Sequence, residues 1–554
     1  MPEKLERLGR LRRVRGTPDQ QINAALAAGR IDRRRFLLHG AAIGLSQRFL
    51  GAELGALGLE AAATGSARAA APGAAIRVGQ LVPQTAIEPL IVTEAAGIAQ
   101  LSAVGEYLCL NGADLMLAPM LAESWSPSAD ATVWTFKLRR GVKFHDGRPF
   151  SADDVVATFE RLVDPDSGSN ALTLLSGYLA KGGTKKADAG AVEFHLDTAH
   201  GNFPYLVSSD NYNAIILPAD YAGDFESNFN ATGPFRLEKY TQRTGASFVR
   251  NDDYWGAKAL PARLDYTFFN DHQALLDALK SGQIDVAQQL PRQLGATAAG
   301  DPGIDVIAVP SGSHHQVHMR TDAGIFADPR VRRAVALCLD RPGLLQRLAA
   351  GRGRLGNDSP FTPAYPFADT AAPQRQRDVA QAKELMAAAG LGNGFDVKLT
   401  VEKFLEIPDY ALAVQAAVKE IGIRVTIDVL EQGAYYADGV FGKSPWLDSP
   451  FGISDFEHRG LPNTALTASL GSVGAWNAAR YKNPSFDRAV AAFIAAPDVE
   501  AQRQAAGEVE NILLADTPVI FAYFHDVLAA SRKGISGIKT TAMGHLLLAG
   551  ASLG

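Results

Sequence analysis

The sequence predicts an α/β protein with more than one lobe. The chain has 554 residues, which is too long for one compact core, so we expect two or three lobes. Helix-like and strand-like stretches alternate from residue 270 onward. Two tandem units, QAKELMAAAGLGNGFDVKLTV and AVQAAVKEIGIRVTIDVL, each combine a helix, a stopping glycine and a strand. Gly390 and Gly422 are those stops, and the repeated scheme indicates an open α/β sheet.

Several elements are predicted in the first half of the chain. Trp134, Phe136 and Leu138 alternate with polar residues, which is typical of a strand with one buried face. Residues 106–117 carry apolar residues at helical spacing and predict a helix. The other predicted strands are 75–81, 191–196, 235–238 and 247–250.

The second half supplies further helices. DHQALLDALKSGQIDVAQQL predicts a helix that ends near Gly282, then a strand at 284–287. Asp328 and Pro329 predict an N-cap and a first helical residue. PSFDRAVAAFIAA and VEAQRQAAGEVENILLAD are typical of amphipathic helices, and TPVIFAYFHDVLAAS of a strand-rich segment.

The N-terminal residues predict an export signal. DRRRFLL at 32–38 resembles a twin-arginine signal, with Arg33 and Arg34 as the pair. A mildly apolar stretch and an Ala-rich A-x-A region follow, and we expect cleavage after Ala69. Residues 1–69 would then be the signal peptide with a long basic start. A basic amphipathic helix on a cytosolic protein is the alternative. We expect the mature protein to be periplasmic or otherwise extracytoplasmic.

Composition excludes several classes of protein. The net charge of -5 and the absence of a dense basic patch argue against nucleic-acid binding. Cys109 and Cys338 lie in apolar settings, which favours buried free thiols, although one disulfide is open in an oxidising compartment. The sequence carries no G-x-S-x-G elbow, Walker loop, Rossmann fingerprint or H-E-x-x-H. We therefore expect neither an enzyme nor a bound cofactor.

A long signature resembles a known family. LAPMLAESWSPSADATVWTFKLRRGVKFHDGRPFSADDVVATFERL is similar to the signature of the extracytoplasmic solute-binding proteins of ABC transporters, in the dipeptide/oligopeptide/nickel family (family 5). ATGPFRLEKY, NDDYWG, ALKSGQIDVA and FADPRVRRAVALCLDR resemble further segments of that family. The resemblance spans about residues 76–550.

The resemblance implies the architecture. It implies two α/β lobes joined by a hinge, the periplasmic-binding-protein fold, with an extra α+β domain inserted in the first lobe. We expect lobe I to comprise residues 76–104, 216–318 and 516–554. The inserted domain would span 105–215 and lobe II 319–515.

The triplet His145-Asp146-Gly147 lies inside the signature. A general base with its orienting carboxylate is one interpretation. Asp146-Gly147 is also a strong turn dipeptide, and Ser151 to Asp154 resembles a capping box. We favour a strand, a tight turn and a capped helix.

Three histidines, His314, His315 and His318, form the most metal-like cluster. His314 and His318 would share a helix face, but the flanking PSGS and the alternation after it favour an extended strand. We therefore expect no bound metal. The resemblance places a hinge near here, so we expect His318 to make polar contacts near the lobe crossover.

The resemblance places the ligand-binding region in lobe II, within SPWLDSPFGISDFEHRGLPN and GSVGAWNAARYKNPSFD. Peptide binders of the family carry an Asp that pairs with the α-amino group of the ligand. Here Arg459 stands near that position, and an arginine fork matches a carboxylate or phosphate. A solvated charged loop is the alternative. The candidate ligand-binding residues are Trp446, Asp455, Phe456, His458, Arg459, Trp476, Asn477 and His318.

The predicted function is a receptor that hands a small solute to an ABC permease in the membrane. The resemblance implies a peptide or peptide-like solute. An anionic, opine-like or sugar-containing solute or a metal chelate is the alternative. From another class, an exported hydrolase would need a nucleophile and base that the sequence does not supply. We expect a monomer.

Overall fold

The computed structural model describes residues 74–227, 229–369 and 371–554. The expected signal peptide therefore lies outside the described residues. Within them the strands are β1 (Ala75–Leu81), β2 (Cys109–Asn111), β3 (Leu117–Pro119), β4 (Ala122–Pro127), β5 (Val133–Leu138), β6 (Thr184–Asp188), β7 (Ala191–His195), β8 (Phe235–Thr241), β9 (Gly245–Arg250), β10 (Arg263–Phe269), β11 (Val286–Leu290), β12 (Ile304–Val309), β13 (His314–Met319), β14 (Gly353–Leu355), β15 (Phe395–Glu402), β16 (Ile423–Leu430), β17 (Phe451–Phe456), β18 (Val519–His525), β19 (Val527–Arg532), β20 (Ile535–Ser536), β21 (Lys539–Thr540), β22 (Leu546–Leu547) and β23 (Ser552–Leu553).

The described α-helices are α1 (Ala95–Val104), α2 (Ala152–Leu162), α3 (Ala171–Leu175), α4 (Phe203–Leu206), α5 (His272–Ser281), α6 (Arg292–Ala299), α7 (Pro329–Cys338), α8 (Arg341–Ala349), α9 (Val379–Ala388), α10 (Ile407–Lys419), α11 (Gln432–Tyr436), α12 (Pro445–Asp448), α13 (Pro484–Ala495) and α14 (Val499–Asp516). Short 3₁₀ turns lie at Pro165–Ser167, Phe225–Ser227 and Ile325–Ala327, and a π-helix at Ala465–Ser469. None of the described helices has the length and apolar character needed to cross a bilayer.

Lobe I is built on a seven-stranded sheet with the order β12-β19-β11-β1-β10-β9-β8. β1 pairs in parallel with β10 and β11, while β9 and β19 run antiparallel to their neighbours. The N-cap of the helix α5 is Asp271, whose carboxylate accepts from the backbone N–H of Ala274 at 2.8 Å. The helix ends at Gly282 with φ 76°, so the predicted stop is confirmed.

Lobe II is built on a six-stranded sheet with the order β14-β18-β13-β17-β15-β16. The two predicted helix-glycine-strand units supply β15 and β16, which pair in parallel. Gly390 and Gly422 have φ of 76° and 84°, a conformation that favours glycine and allows the chain to turn back to the sheet. The predicted N-cap Asp328 accepts from the N–H of Arg330. α/β character with two sheets is thus observed as predicted.

Between β1 and β8 the chain forms a separate four-stranded antiparallel sheet with the order β4-β5-β7-β6, and we call this part of the chain the inserted domain. The predicted capping box is present, since the carboxylate of Asp154 accepts from the backbone N–H of Ser151 at 2.7 Å. His145 lies between the backbone carbonyls of Phe229 and Gly233, and the carboxylate of Asp146 contacts Arg148. The triplet is therefore a turn that fastens the signature stretch to the ATGPF segment, not a catalytic pair.

The predicted helix at 106–117 is wrong. This segment forms the short antiparallel pair β2 and β3, and the helix lies earlier, at α1. The carboxylate of Glu106 is buried and accepts hydrogen bonds from Tyr254 and Trp255 of the NDDYWG segment, both at 2.8 Å. Apolar spacing alone missed this because the partners of Glu106 lie almost 150 residues away.

The chain changes sheets twice between the lobes. β12 belongs to the sheet of lobe I and β13 to that of lobe II, so residues 310–313 form the first crossover. β18 and β19 are divided in the same way, with Asp526 between them. The expected limits of lobe I at residues 318 and 516 lie within β13 and at the end of α14. We refer below to the lobes as their sheets define them.

Candidate functional site

A cavity of about 860 Å³ lies between lobe I, the inserted domain and lobe II. Segments distant in the chain meet there, as in the cleft of a two-lobed protein. Its walls combine charged, amide and aromatic groups. Residues on its walls include Glu94, Asn170, Asn211, Tyr212, Gln288, Arg292, Asp455, Glu457, His458, Arg459, Trp476, His525 and Asp526.

The lobe II wall is formed by the end of β17 and the residues after it. β17 pairs antiparallel with β13, which places His315 opposite Asp455 and His314 opposite Phe456. The rings of His314 and Phe456 stack at a centroid distance of 5.3 Å. This pairing fixes the strand end, from which Asp455, Glu457 and Arg459 contribute to the cavity wall.

Glu457 and Arg459 are exposed to the cavity without an ion-pair partner among the described residues. Both still influence their surroundings. Loss of water around Glu457 raises the pKa of its carboxyl, Asp455 raises it further and Arg459 opposes the change. Tyr212 of the inserted domain lies close enough for both charges to act on its phenol pKa, which burial raises. The cleft thus holds one negative and one positive group available to a solute.

Trp476 supplies an aromatic surface beside these charges. Its backbone N–H donates to the carbonyl of Ala468 at 2.9 Å, and its side chain is half-buried. Trp446 packs behind it with ring centroids 6.4 Å apart. Trp446 is itself buried and contacts Tyr436 at 5.2 Å. Trp476 therefore faces the cavity, and Trp446 supports it from behind.

A small side pocket of about 30 Å³ opens next to Trp476. It shares Glu457, Arg459, Thr464 and Trp476 with the main cavity. Its remaining walls are mostly apolar and aromatic, and they comprise Gly312, His314, Pro360, Tyr365, Phe456, Leu461, Pro462 and Ala465.

Known proteins share this architecture. The sequence model for the middle region of bacterial extracellular solute-binding proteins, family 5, matches residues 116–455. The chain belongs to this family. Family 5 proteins bind solutes outside the cytoplasmic membrane.

Two relatives extend the similarity over most of the chain. Di/tripeptide-binding protein 2 of Pseudomonas aeruginosa is 28% identical over 459 residues, which cover 77% of this chain and 84% of the relative. Glutathione-binding protein GsiB of Salmonella choleraesuis is 26% identical over 521 residues, 87% of this chain and 95% of its own. Both relatives are named for binding rather than for catalysis.

A solved structure shows the same two-lobed fold. The periplasmic murein tripeptide-binding protein MppA, in its unliganded open form, superposes with a TM-score of 0.76 at 22% identity. The match covers 88% of this chain and 98% of that one. The predicted periplasmic-binding-protein fold is confirmed.

The structure does not bring every candidate residue to the cavity. Asn477 is buried, its amide donates to the carbonyls of Gly471 at 3.0 Å and Tyr481 at 2.7 Å, and its oxygen accepts from the N–H of Tyr481. All its hydrogen-bonding groups are thus used to shape the turn next to Trp476. His318 is buried beside the carbonyl of Ser449 at 3.2 Å, and burial lowers its pKa to about 4.

His458 and Phe456 have mixed positions. His458 reaches the wall of the main cavity, but its Nδ1 accepts from the backbone N–H of Gly312 at 2.9 Å. The backbone N–H of His458 donates to the hydroxyl of Ser313. Burial lowers the pKa of His458 to about 3, so the ring is neutral. His458 therefore fastens lobe II to the first crossover, while Phe456 lines the side pocket.

Sequence reasoning did not predict a cluster at the cleft floor that brings together residues from four separate segments. Ligating atoms of His315, Asp455 and His525 lie within 4.8 Å of one another. A guanidinium nitrogen of Arg292 is 2.9 Å from Nδ1 of His525. Arginine keeps its positive charge, so the guanidinium of Arg292 already places a cation next to these three side chains. A metal ion bound there would be repelled by it. No local sequence signal marks a group assembled in this way.

Proposed function

We propose that this protein is the receptor of an ABC importer. It captures a peptide or peptide-like solute between its lobes and delivers the solute to a membrane permease. Family membership supports the receptor class, and the cavity between the lobes offers the binding place. Fold alone does not select a solute, so the proposed chemistry rests on the cavity walls.

The single observation that carries the solute class is the pair of unpartnered charges on one wall. Arg459 presents a planar fork that matches a carboxylate, and Glu457 accepts an ammonium group. A free peptide carries both groups at its ends. The names of the relatives, a di/tripeptide-binding protein and a glutathione-binding protein, agree with a zwitterionic solute of this size.

Trp476 and the side pocket would select the neutral part of the solute. An aromatic face stabilises apolar or planar groups that stack on it. A space of about 30 Å³ holds on the order of two water molecules. We therefore expect a small alkyl group, such as an alanine methyl, to enter the side pocket while the charged ends remain in the main cavity.

Capture would depend on contact with both lobes. A ligand shifts an equilibrium between open and closed forms only if it binds one form more tightly. Arg459 and Glu457 act from lobe II, and Tyr212 faces them from the inserted domain. A solute that bridges these groups would favour the closed form, in which the permease recognises the receptor.

An anionic solute is the second candidate. If Arg459 alone provides the dominant contact, an opine-like acid or a sugar acid would satisfy it without a free amine. The remaining elements of the proposal come from the sequence: export by the twin-arginine pathway, a periplasmic location and a monomeric receptor.

Native mass spectrometry of the purified full chain tests the proposal directly, because a captured solute adds its mass to the protein. We expect a peptide-like mass that leaves on partial unfolding. Arg459→Ala should then weaken binding of the identified solute at least tenfold, about 1.4 kcal/mol. Arg503→Ala, an exposed arginine on α14, is the matched control and should bind as the wild type does. A neutral solute bound equally by Arg459→Ala would exclude the proposed recognition.

A further inference from the structure

His315 occupies a buried position between two carboxylates. It lies on β13, two residues beyond the first crossover, and its side chain is 0% exposed. Its Nε2 is 3.0 Å from a carboxylate oxygen of Glu406, the residue before α10. Its Nδ1 is 3.0 Å from a carboxylate oxygen of Asp455 on β17. Each ring nitrogen therefore faces an acidic group from a different element of lobe II.

A neutral imidazole cannot serve both contacts. It carries one N–H, and its other nitrogen presents a lone pair that carboxylate oxygens repel. The contact with Glu406 has hydrogen-bond geometry, whereas Nδ1 faces Asp455 at 3.0 Å without it. Nη2 of Arg292 also lies 3.4 Å from Nε2, on the side of Glu406. Only the imidazolium is attracted to both carboxylates.

The charges of the surrounding group lead to the same protonation state. Nε of Arg292 lies 2.5 Å from Glu406, and the two side chains are 12% and 4% exposed. With Arg292, Glu406 and Asp455 charged, the buried group holds two negative charges and one positive charge. A buried net charge is costly, and a proton on His315 removes it.

The other ionisable groups around His315 are neutral. Burial together with Arg292 lowers the pKa of His525 well below its usual range, and burial lowers that of His314 to about 4. Burial raises the pKa of Tyr410 and Tyr523 above the usual range of a phenol. Among these groups, His315 is therefore the one placed to balance the second carboxylate.

This group lies where the lobes meet. Arg292 begins α6 and belongs to lobe I, whereas Glu406 and Asp455 belong to lobe II. His315 is the second residue of β13, just after the first crossover, and His525 ends β18, just before the second. Asp455 also begins the wall segment that carries Glu457 and Arg459.

We propose that His315 is a positioning residue that remains protonated at neutral pH and fixes the ligand-facing end of β17 relative to lobe I. The imidazolium joins Asp455 to Glu406, and Glu406 joins Arg292 across the lobes. Its two carboxylate partners raise its pKa against the opposing effect of burial. The stabilisation is thus complete below the ordinary histidine pKa of about 6.5 and is lost only as pH rises through the higher folded value.

Nitrogen NMR of the full chain labelled with ¹⁵N-histidine tests the protonation state without any solute. We expect both ring nitrogens of His315 to be protonated at pH 7.5, with His314 and His318 neutral. His315→Gln and His318→Gln assign the signals. A neutral His315 at pH 7.5 would overturn the proposal. Zinc that binds and displaces the His315 proton would also overturn it, in favour of a metal centre.

Spin labels on the two lobes test the positioning role. Lys280 on α5 and Lys419 on α10 are exposed and suit labelling after replacement by cysteine. At pH 7 we expect a narrow distance distribution in the wild type and at least a twofold wider one in His315→Gln. Raising the pH to 10 should widen the distance distribution of the wild type but not that of His315→Gln. His318→Gln, on the same strand, should follow the wild type. Equal widths for wild type and His315→Gln at pH 7 would contradict the positioning role.

If the NMR or the spin-label result contradicted the role of His315, the proposed function would still stand, because neither experiment involves a solute. Conversely, a receptor that binds no peptide could still carry a protonated His315.

Discussion

Arg292 and Glu406 form a buried ion pair across the lobes, with Nε of the arginine 2.5 Å from a carboxylate oxygen. Arg292 lines the main cavity, and Glu406 directly follows Phe404 and Leu405 of its wall. Arg292 begins α6 of lobe I, and Glu406 is the residue before α10 of lobe II. The pair therefore joins the two lobes next to the solute cavity. The same arginine also contacts His525.

Removing this arginine should destabilise the protein strongly. Arg292→Met leaves Glu406 and Asp455 buried with only His315 to balance them, and breaking one side of a buried pair costs about 3 to 5 kcal/mol. The free energy of unfolding from urea titration measures the loss. Arg424→Met is the control, since its pair with Asp396 is exposed and such pairs contribute less than about 1 kcal/mol. Similar small losses in both variants would contradict a buried interlobe pair.

Glu106 should make stability fall as pH rises. Burial raises its pKa to about 7 in the folded protein, against an ordinary value near 4.5, although Trp255 and Tyr254 oppose the shift. The folded state therefore holds this proton more tightly, and its advantage disappears as pH climbs from about 4.5 to 7. Glu106→Gln should reduce the difference in unfolding free energy between pH 5 and pH 8 by about 3 kcal/mol.

Urea titrations of wild type and Glu106→Gln at both pH values provide the measurement. Glu123→Gln, an exposed carboxylate in the same part of the chain, should keep the wild-type pH dependence. If Glu106→Gln also kept it, the carboxylate would be ionised in the fold throughout this range.

The side pocket should limit the size of the group that enters it. Ala465→Leu adds three carbon atoms to its wall and should weaken binding of tri-alanine about tenfold, since overpacking a filled space costs about 1 to 3 kcal/mol. Calorimetry compares it with Ala434→Leu, an exposed alanine on α11 that should bind normally. Unchanged affinity in Ala465→Leu would show that the solute does not use the pocket.

Local signals predicted much of the fold. The stops at Gly390 and Gly422, the cap at Asp328 and the capping box at Ser151 each depend on residues within a few positions, and the structure has all of them. The helix expected at 106–117 failed because the apolar residues there serve a short strand pair. Its register is set by distant contacts that no local spacing reports.

Fewer residues of the candidate site than of the fold could be predicted from the sequence. Asp455, His458, Arg459 and Trp476 do line the main cavity, where the family resemblance located the ligand region. The side chain of Asn477 makes its hydrogen bonds within its own turn. Nothing in the surrounding sequence distinguished such an amide from one that contacts a ligand. Arg292, Glu406 and His525 were missed because they acquire meaning only when two sheets meet at the crossovers. Tyr212 was missed for the same reason, as the inserted domain brings it to the cavity.

Calorimetry with peptides of defined end groups tests whether the cavity recognises both charged ends of a peptide. Tri-alanine and glutathione are compared with forms that are N-acetylated, C-amidated or both, using wild type, Arg459→Ala and Glu457→Gln. We predict that a free peptide binds the wild type and that blocking either end weakens binding at least tenfold. Arg459→Ala should become indifferent to the amide, and Glu457→Gln to the acetyl group. Equal wild-type affinity for free and doubly blocked peptides would contradict recognition of the charged ends. So would a wild type that binds neither tri-alanine nor glutathione.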